Sequence, residues 1–165
     1  MSLMAQLIGE FDLSPELEDA ITARSPVWLK QDSRPGRFLY KHRDGILDVG
    51  GGYQFEPFAD ERIPGETIVN RVLIGFHLDT ARALEGGTVA LECALRIMPL
   101  VDENLAFFTN DYVKLARRNS ALTLFRLVPE NDFWDIPGRV ALVPEPYEWV
   151  KLPTPGWYNE RERKK

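Results

Sequence analysis

Two stretches near the middle of the chain alternate residue by residue between apolar and less apolar side chains. Val72, Ile74, Phe76 and Leu78 fall on one face, and Arg71, Leu73, Gly75 and His77 on the other. In 88–98, Val89, Leu91, Cys93, Leu95 and Ile97 share one face, opposite Thr88, Ala90, Glu92, Ala94, Arg96 and Met98. Period two is the mark of a half-buried antiparallel strand. The pattern therefore predicts paired strands over 69–79 and 88–98. The second is ended by Pro99, and the two are linked by a short helical turn with a glycine stop at Gly86-Gly87.

Shorter signals fill in the rest. Ser14-Pro15-Glu16-Leu17 starts a helix over 15–24, because Ser14 can cap it and Pro15 at the first helical position loses no hydrogen bond. Pro26 enforces its end. Extended pieces follow at 27–30, 37–41 and 46–49, separated by Pro35-Gly36 and Asp44-Gly45, both turn signals. Gly50-Gly51-Gly52 lacks the Gly-Lys-Ser/Thr of a phosphate loop and reads as a flexible bend. Residues 103–118 fit a helix, with Leu105, Phe108, Tyr112, Leu115 and Ala116 on helical spacing and Lys114, Arg117 and Arg118 at its negative end. The rival for this segment is two strands turning at Asn110-Asp111. A strand over 122–128 and weaker ones at 139–143 and 147–152 complete the set.

These elements predict an α+β fold: an antiparallel, twisted sheet of about six to eight strands with a short N-terminal helix and one helix packed on the sheet. A half-closed barrel is the alternative, since sheet edges must be hidden. At 165 residues the chain suits one domain, expected over 1–152. Beyond it, 153–165 reads as an extended C-terminal arm rich in proline and aromatic residues.

Composition removes several classes of function. One cysteine and two histidines exclude a disulfide framework and a His- or Cys-rich metal site, so neither metal nor cofactor is expected. The net charge of −5 argues against nucleic acid, although 34–43 and 114–126 are locally basic. Glu10 and Asp12, with no Lys or Arg before residue 14, are unlike a secretory leader. No apolar run approaches the ~20 residues of a membrane span. A cytoplasmic protein with no membrane partner is expected.

If the two central strands pair antiparallel, His77 and Glu92 become cross-strand or diagonal neighbours. A carboxylate beside an imidazole orients it and raises its basicity, the chemistry of general acid–base catalysis. Arg71 and Arg96 on the same face would clamp an anion. The competing reading is a solvated sheet face with no chemistry. Trp149 and Trp157 are candidate contacts of a homodimer. Two functions thus stand side by side. One is a non-catalytic binding or protein-interaction domain acting through a sheet face and the C-terminal arm. The other is a small metal-independent enzyme with His77 as base, Glu92 as its orienter and Arg71 or Arg96 holding a small acidic metabolite.

Overall fold

The computed structural model describes residues 3–64, 67–110, 112–128 and 133–153. Its elements in chain order are β1 (Leu3–Gly9), α1 (Pro15–Thr22), β2 (Trp28–Arg34), β3 (Arg37–His42), β4 (Leu47–Asp60) and β5 (Ile68–Leu78). There follow α2 (Ala83–Ile97), β6 (Leu105–Thr109), β7 (Tyr112–Arg118), β8 (Ala121–Val128) and β9 (Glu148–Pro153). The strands form one nine-stranded sheet in the order β2-β3-β4-β5-β1-β6-β7-β8-β9. All neighbours are antiparallel except β8 and β9, which run parallel. The fold is α+β, and the sheet is not closed into a barrel, so β2 and β9 are its outer strands among the described residues.

Strand β5 matches the alternation, with Val72, Ile74, Phe76 and Leu78 in the core. The second alternating stretch does not. Residues 88–98 lie in helix α2 and its short 3₁₀ extension, not in a strand. Its buried residues are Gly86, Gly87, Ala90, Leu91, Cys93, Ala94 and Ile97, a stripe spaced by three and four. Ala, Leu, Glu and Arg are strong helix formers, and an apolar 11-residue window satisfied both periods at once. Gly86-Gly87 is not a stop but part of the helix. Its close approach to other segments needs the missing side chains: a Cβ on Gly87 would lie 2.9 Å from the Arg139 guanidinium, and one on Gly86 3.2 Å from Leu78.

The helix expected over 103–118 is likewise absent, and the strand reading holds. Residues 105–109 and 112–118 form a hairpin turning through Asn110, which has φ 50°. Every residue from Leu105 to Phe108 is buried, as befits a strand covered on both faces. That continuous burial gives no alternation to read. The expected bend at Gly50-Gly51-Gly52 is straight strand inside β4.

Helix α1 starts as expected. Ser14 accepts from the Leu17 amide, and the Glu18 carboxylate accepts from the hydroxyls of Tyr40 and Ser33 at 2.8 and 2.7 Å. Burial, then the Glu18 hydrogen bond, pushes the Tyr40 phenol up to about 12.

The main core lies between one sheet face and the cover made by α1, α2 and the segment 133–143. Three arginines tie this cover down. Arg96 donates to the Ala20 and Ile21 carbonyls at the end of α1. Arg117 donates to the carbonyls of Met98, Val101 and Glu103 after α2. Arg139, buried, donates to Thr88 Oγ1 and to the Leu84 and Phe133 carbonyls. The bonds to Ala20, Ile21 and Met98 satisfy carbonyls that a helix end leaves without intrahelical partners.

Gly51 faces this core beneath the Phe38 ring, where a Cβ would sit 2.3 Å from Phe38 Cε1. Gly51→Ala should therefore displace a buried ring and cost about 1–3 kcal/mol, read as a lowered denaturation midpoint. Gly50→Ala, which meets nothing closer than 3.6 Å, should cost nothing by the same measurement.

Candidate functional site

The structure does not assemble the constellation expected from the sequence. His77 projects from β5 opposite Met4 and Asp48, exposed, on the sheet face that carries no helix. Glu92 sits on α2, across the sheet from it, in an i,i+4 pair with Arg96 at 3.9 Å. The carboxylate that faces His77 along the sheet is Asp48. Arg96 is committed to the end of α1 and lies 3.3 Å from Cys93 Sγ. Arg71 pairs with Asp12 and lies 5.2 Å from the Tyr53 ring centre. His77, Glu92, Arg71 and Arg96 are therefore not one site. Cys93 is buried, and burial pushes its thiol up to about 12, with no thiolate available near neutral pH.

Trp149 lies on β9, half-exposed, with its ring 6.1 Å from Trp134 and 6.0 Å from Tyr147. Trp157 and the rest of the expected arm beyond Pro153 fall outside the described residues. His42 is half-buried. Its Nδ1 lies 2.6 Å from Asp44 Oδ1 and its ring 5.0 Å from Trp28. The Ile46 amide, with the charges of His42 and Arg82, holds the Asp44 carboxyl below its usual range. This arrangement braces the 42–45 turn.

Two hollows lie on the face of the sheet that no described helix covers, the helix-free face. Strand β4 pairs with β5 from Leu47 to Tyr53, then again from Phe58 to Asp60. Residues 54–57 stand opposite Arg71 alone, so they form an arch, an enlarged bulge. On one side of it Gln6, Phe58, Asp60, Arg62 and Asn70 line a cleft of about 500 Å³. On the other, Arg37, Leu39, Gly50, Gly52 and Leu73 line a trough of about 290 Å³. Gln54 and Leu73 border both, so the two hollows adjoin.

The cleft is held by a buried carboxylate. Asp60 is 2% exposed and receives a forked pair from Arg62, 2.9 Å to Oδ1 and 2.7 Å to Oδ2. The Arg62 amide and Asn70 Nδ2 add bonds of 3.1 and 3.4 Å. Gln54 donates to Asn70, and Arg62 reaches Gln6 while its guanidinium carbon lies 4.0 Å over the Phe108 ring. Burial alone would raise the Asp60 pKa, but the hydrogen bonds and charge of Arg62 outweigh it and hold the carboxyl below its usual range.

The trough is built differently. Gly50 pairs with Gly75 and Leu39, and Gly52 with Leu73 and Arg37. With the glycine side chains absent, the floor between the Leu39 and Leu73 walls is bare backbone. Sequence reasoning missed this site because it took Gly50-Gly51-Gly52 as one bend. The available signal was that glycine at alternate strand positions clears one face.

Among the described residues, no group of three or more His, Cys, Asp or Glu is placed to hold a metal ion, and no helix is long and apolar enough to cross a membrane. Comparison of the chain with protein-family models, curated proteins and solved structures finds no match.

A carboxylate held low in the fold adds stability above its unfolded pKa, about 3.9, and that contribution is lost as the pH falls through the folded value. Asp60→Asn should therefore cost about 2–3 kcal/mol at neutral pH. In urea unfolding measured against pH, the gap between the variant and the natural chain should close below about pH 4.

Proposed function

We propose that this protein is a non-catalytic binding domain that works through the helix-free face of its sheet, with the glycine-floored trough as the recognition site. The observation that carries the reading is the pair Gly50 and Gly52 with Gly75 beside them. Glycine in a strand interior is unfavourable by roughly 0.5–1 kcal/mol relative to alanine. At Gly50, Gly52 and Gly75 a Cβ would meet no atom closer than 3.6 Å, and none of the three has a positive φ. Neither packing nor backbone conformation calls for glycine there. The remaining use of a bare strand is close approach by something else, a ligand or another backbone.

The walls define the guest. Leu39 and Leu73 suit a flat apolar group lying on peptide planes, and Arg37 at the rim suits a negative charge next to it. The guest is thus an aromatic or apolar group joined to an anion. A cytoplasmic protein belongs to the same reading, on the lone, buried Cys93. So does a homodimer, since the free face needs a partner.

An anilinonaphthalene sulfonate dye combines flat apolar rings with an anion. At high protein dilution its fluorescence should rise on binding to the natural chain. Gly50→Val and Gly52→Val should fill the floor and abolish that rise. Both variants should melt no lower than the natural chain, because valine suits a strand better than glycine. Undiminished dye binding in both would end this reading.

A further inference from the structure

We infer that the trough receives the arch of a second copy of this chain, with Phe55 lying on the glycine floor and Glu56 beside Arg37. The inference rests on the trough being a recognition site and names its occupant. Phe55 is 97% exposed, the most exposed large apolar side chain among the described residues. An aromatic ring carries 150–250 Å² of surface that gains by burial, and here a pairing irregularity lifts it clear of the sheet. Its neighbours Glu56 and Pro57 are exposed too. An aromatic residue followed by an acid is the chemistry that the trough selects.

Charge agrees. The outer side of the trough is β3, which contributes Arg37, and the surrounding residues 34–43 carry Arg34, Arg37, Lys41 and Arg43 with no acid. Asp32 partly offsets them, at 2.9 Å from Arg34 and 3.7 Å from Arg37. The Arg37 side chain is nevertheless 66% exposed. The arch and its return carry Glu56, Asp60 and Glu61, of which Asp60 is neutralised by Arg62. A basic rim therefore faces an acidic knob in any pairing of the two.

Topology allows the exchange to be mutual. Gly52 and Phe55 are three residues apart on β4, and Gln54 borders the trough. A two-fold axis passing near Gln54 brings each arch over the other copy's trough in one event. The contact is isologous and closed, so it stops at a dimer instead of growing into a fibre.

Sedimentation velocity across a dilution series tests this. The full chain should behave as a dimer that dissociates on dilution. Phe55→Ala should raise the dissociation constant at least about 30-fold, with an unchanged far-ultraviolet circular dichroism spectrum. Gly50→Val should do the same from the other side. Glu56→Arg and Arg37→Glu should each weaken the dimer, and the double variant should recover it. Dye fluorescence per molecule should fall with rising concentration in the natural chain and stay constant in Phe55→Ala, whose trough is vacant. A natural chain that is monomeric throughout, a dimer untouched by Phe55→Ala and Gly50→Val, or a double charge swap that recovers nothing would each overturn the inference. A monomer whose dye binding is still lost in Gly50→Val leaves the trough as a binding site and removes only the second copy as its guest. Dye binding indifferent to Gly50→Val removes the site itself.

Discussion

Helix α2 can lie on only one side of the sheet, and everything else follows from which side it takes. The face carrying Leu7, Val49, Ile74, Phe76, Phe107 and Leu124 is roofed by α1, α2 and the 133–143 segment. The roof is held at its ends as well as by its apolar underside, because Arg96, Arg117 and Arg139 each donate to helix or turn carbonyls. A guanidinium with several carbonyl acceptors is costly to detach, since both the charge and the carbonyls would lose partners at once. With the cover fixed there, the described residues hold no second long helix to place on the other face. That face is sheltered only locally, where Ile8, Ile63, Ala106, Phe108 and Phe125 form a smaller cluster under the Arg62 side chain. Over β3, β4 and β5 no described helix covers it.

The glycines separate structural need from functional need. Gly51, Gly86 and Gly87 are required by their neighbours, because a methyl group at any of them would press on Phe38, Leu78 or Arg139. Gly50, Gly52 and Gly75 are not. The two sets interleave along β4, Gly51 toward the core and its neighbours toward the open face. The same residue type, one position apart, answers two different constraints. Side-chain alternation makes this separable: a packing account of Gly51 cannot be extended to Gly50 or Gly52, because they look in the opposite direction.

What the sequence made legible was local chemistry. The Ser14-Pro15 helix start, the Pro35-Gly36 and Asp44-Gly45 turns and the alternation of β5 all act within a few residues, and all are present. Segments buried from both sides were not legible. Residues 105–108 are apolar and buried throughout and carry no polar face to mark a strand, so chance spacing of Leu105, Phe108 and Tyr112 suggested a helix. Residues 88–98 carried two periods, and only the docking of α2 on the sheet chose between them. The error over α2 carried through to the site, because the proposed His77–Glu92 pairing required a strand where there is a helix. The trough was hidden for another reason. It is made by residues from three strands, 37–39, 50–52 and 73–75, whose adjacency is a matter of pairing register and has no local signature.

Two unfavourable features sit on β4 within six residues, and this proximity is itself an argument. A glycine floor gives up side-chain contacts and backbone entropy that alanine or valine would have kept. A fully exposed phenylalanine leaves apolar surface in water, and the arch that presents it gives up ladder hydrogen bonds between Tyr53 and Phe58. Each, taken alone, weakens the monomer. Among the described residues the ring meets almost nothing, and the floor has only loose neighbours, Leu39 at 3.6 Å and Met4 at 3.9 Å from where a Cβ would stand. The second-copy contact proposed above would relieve both, since the ring would leave water as the floor gained a partner. Local rules fail together where one external contact answers them together.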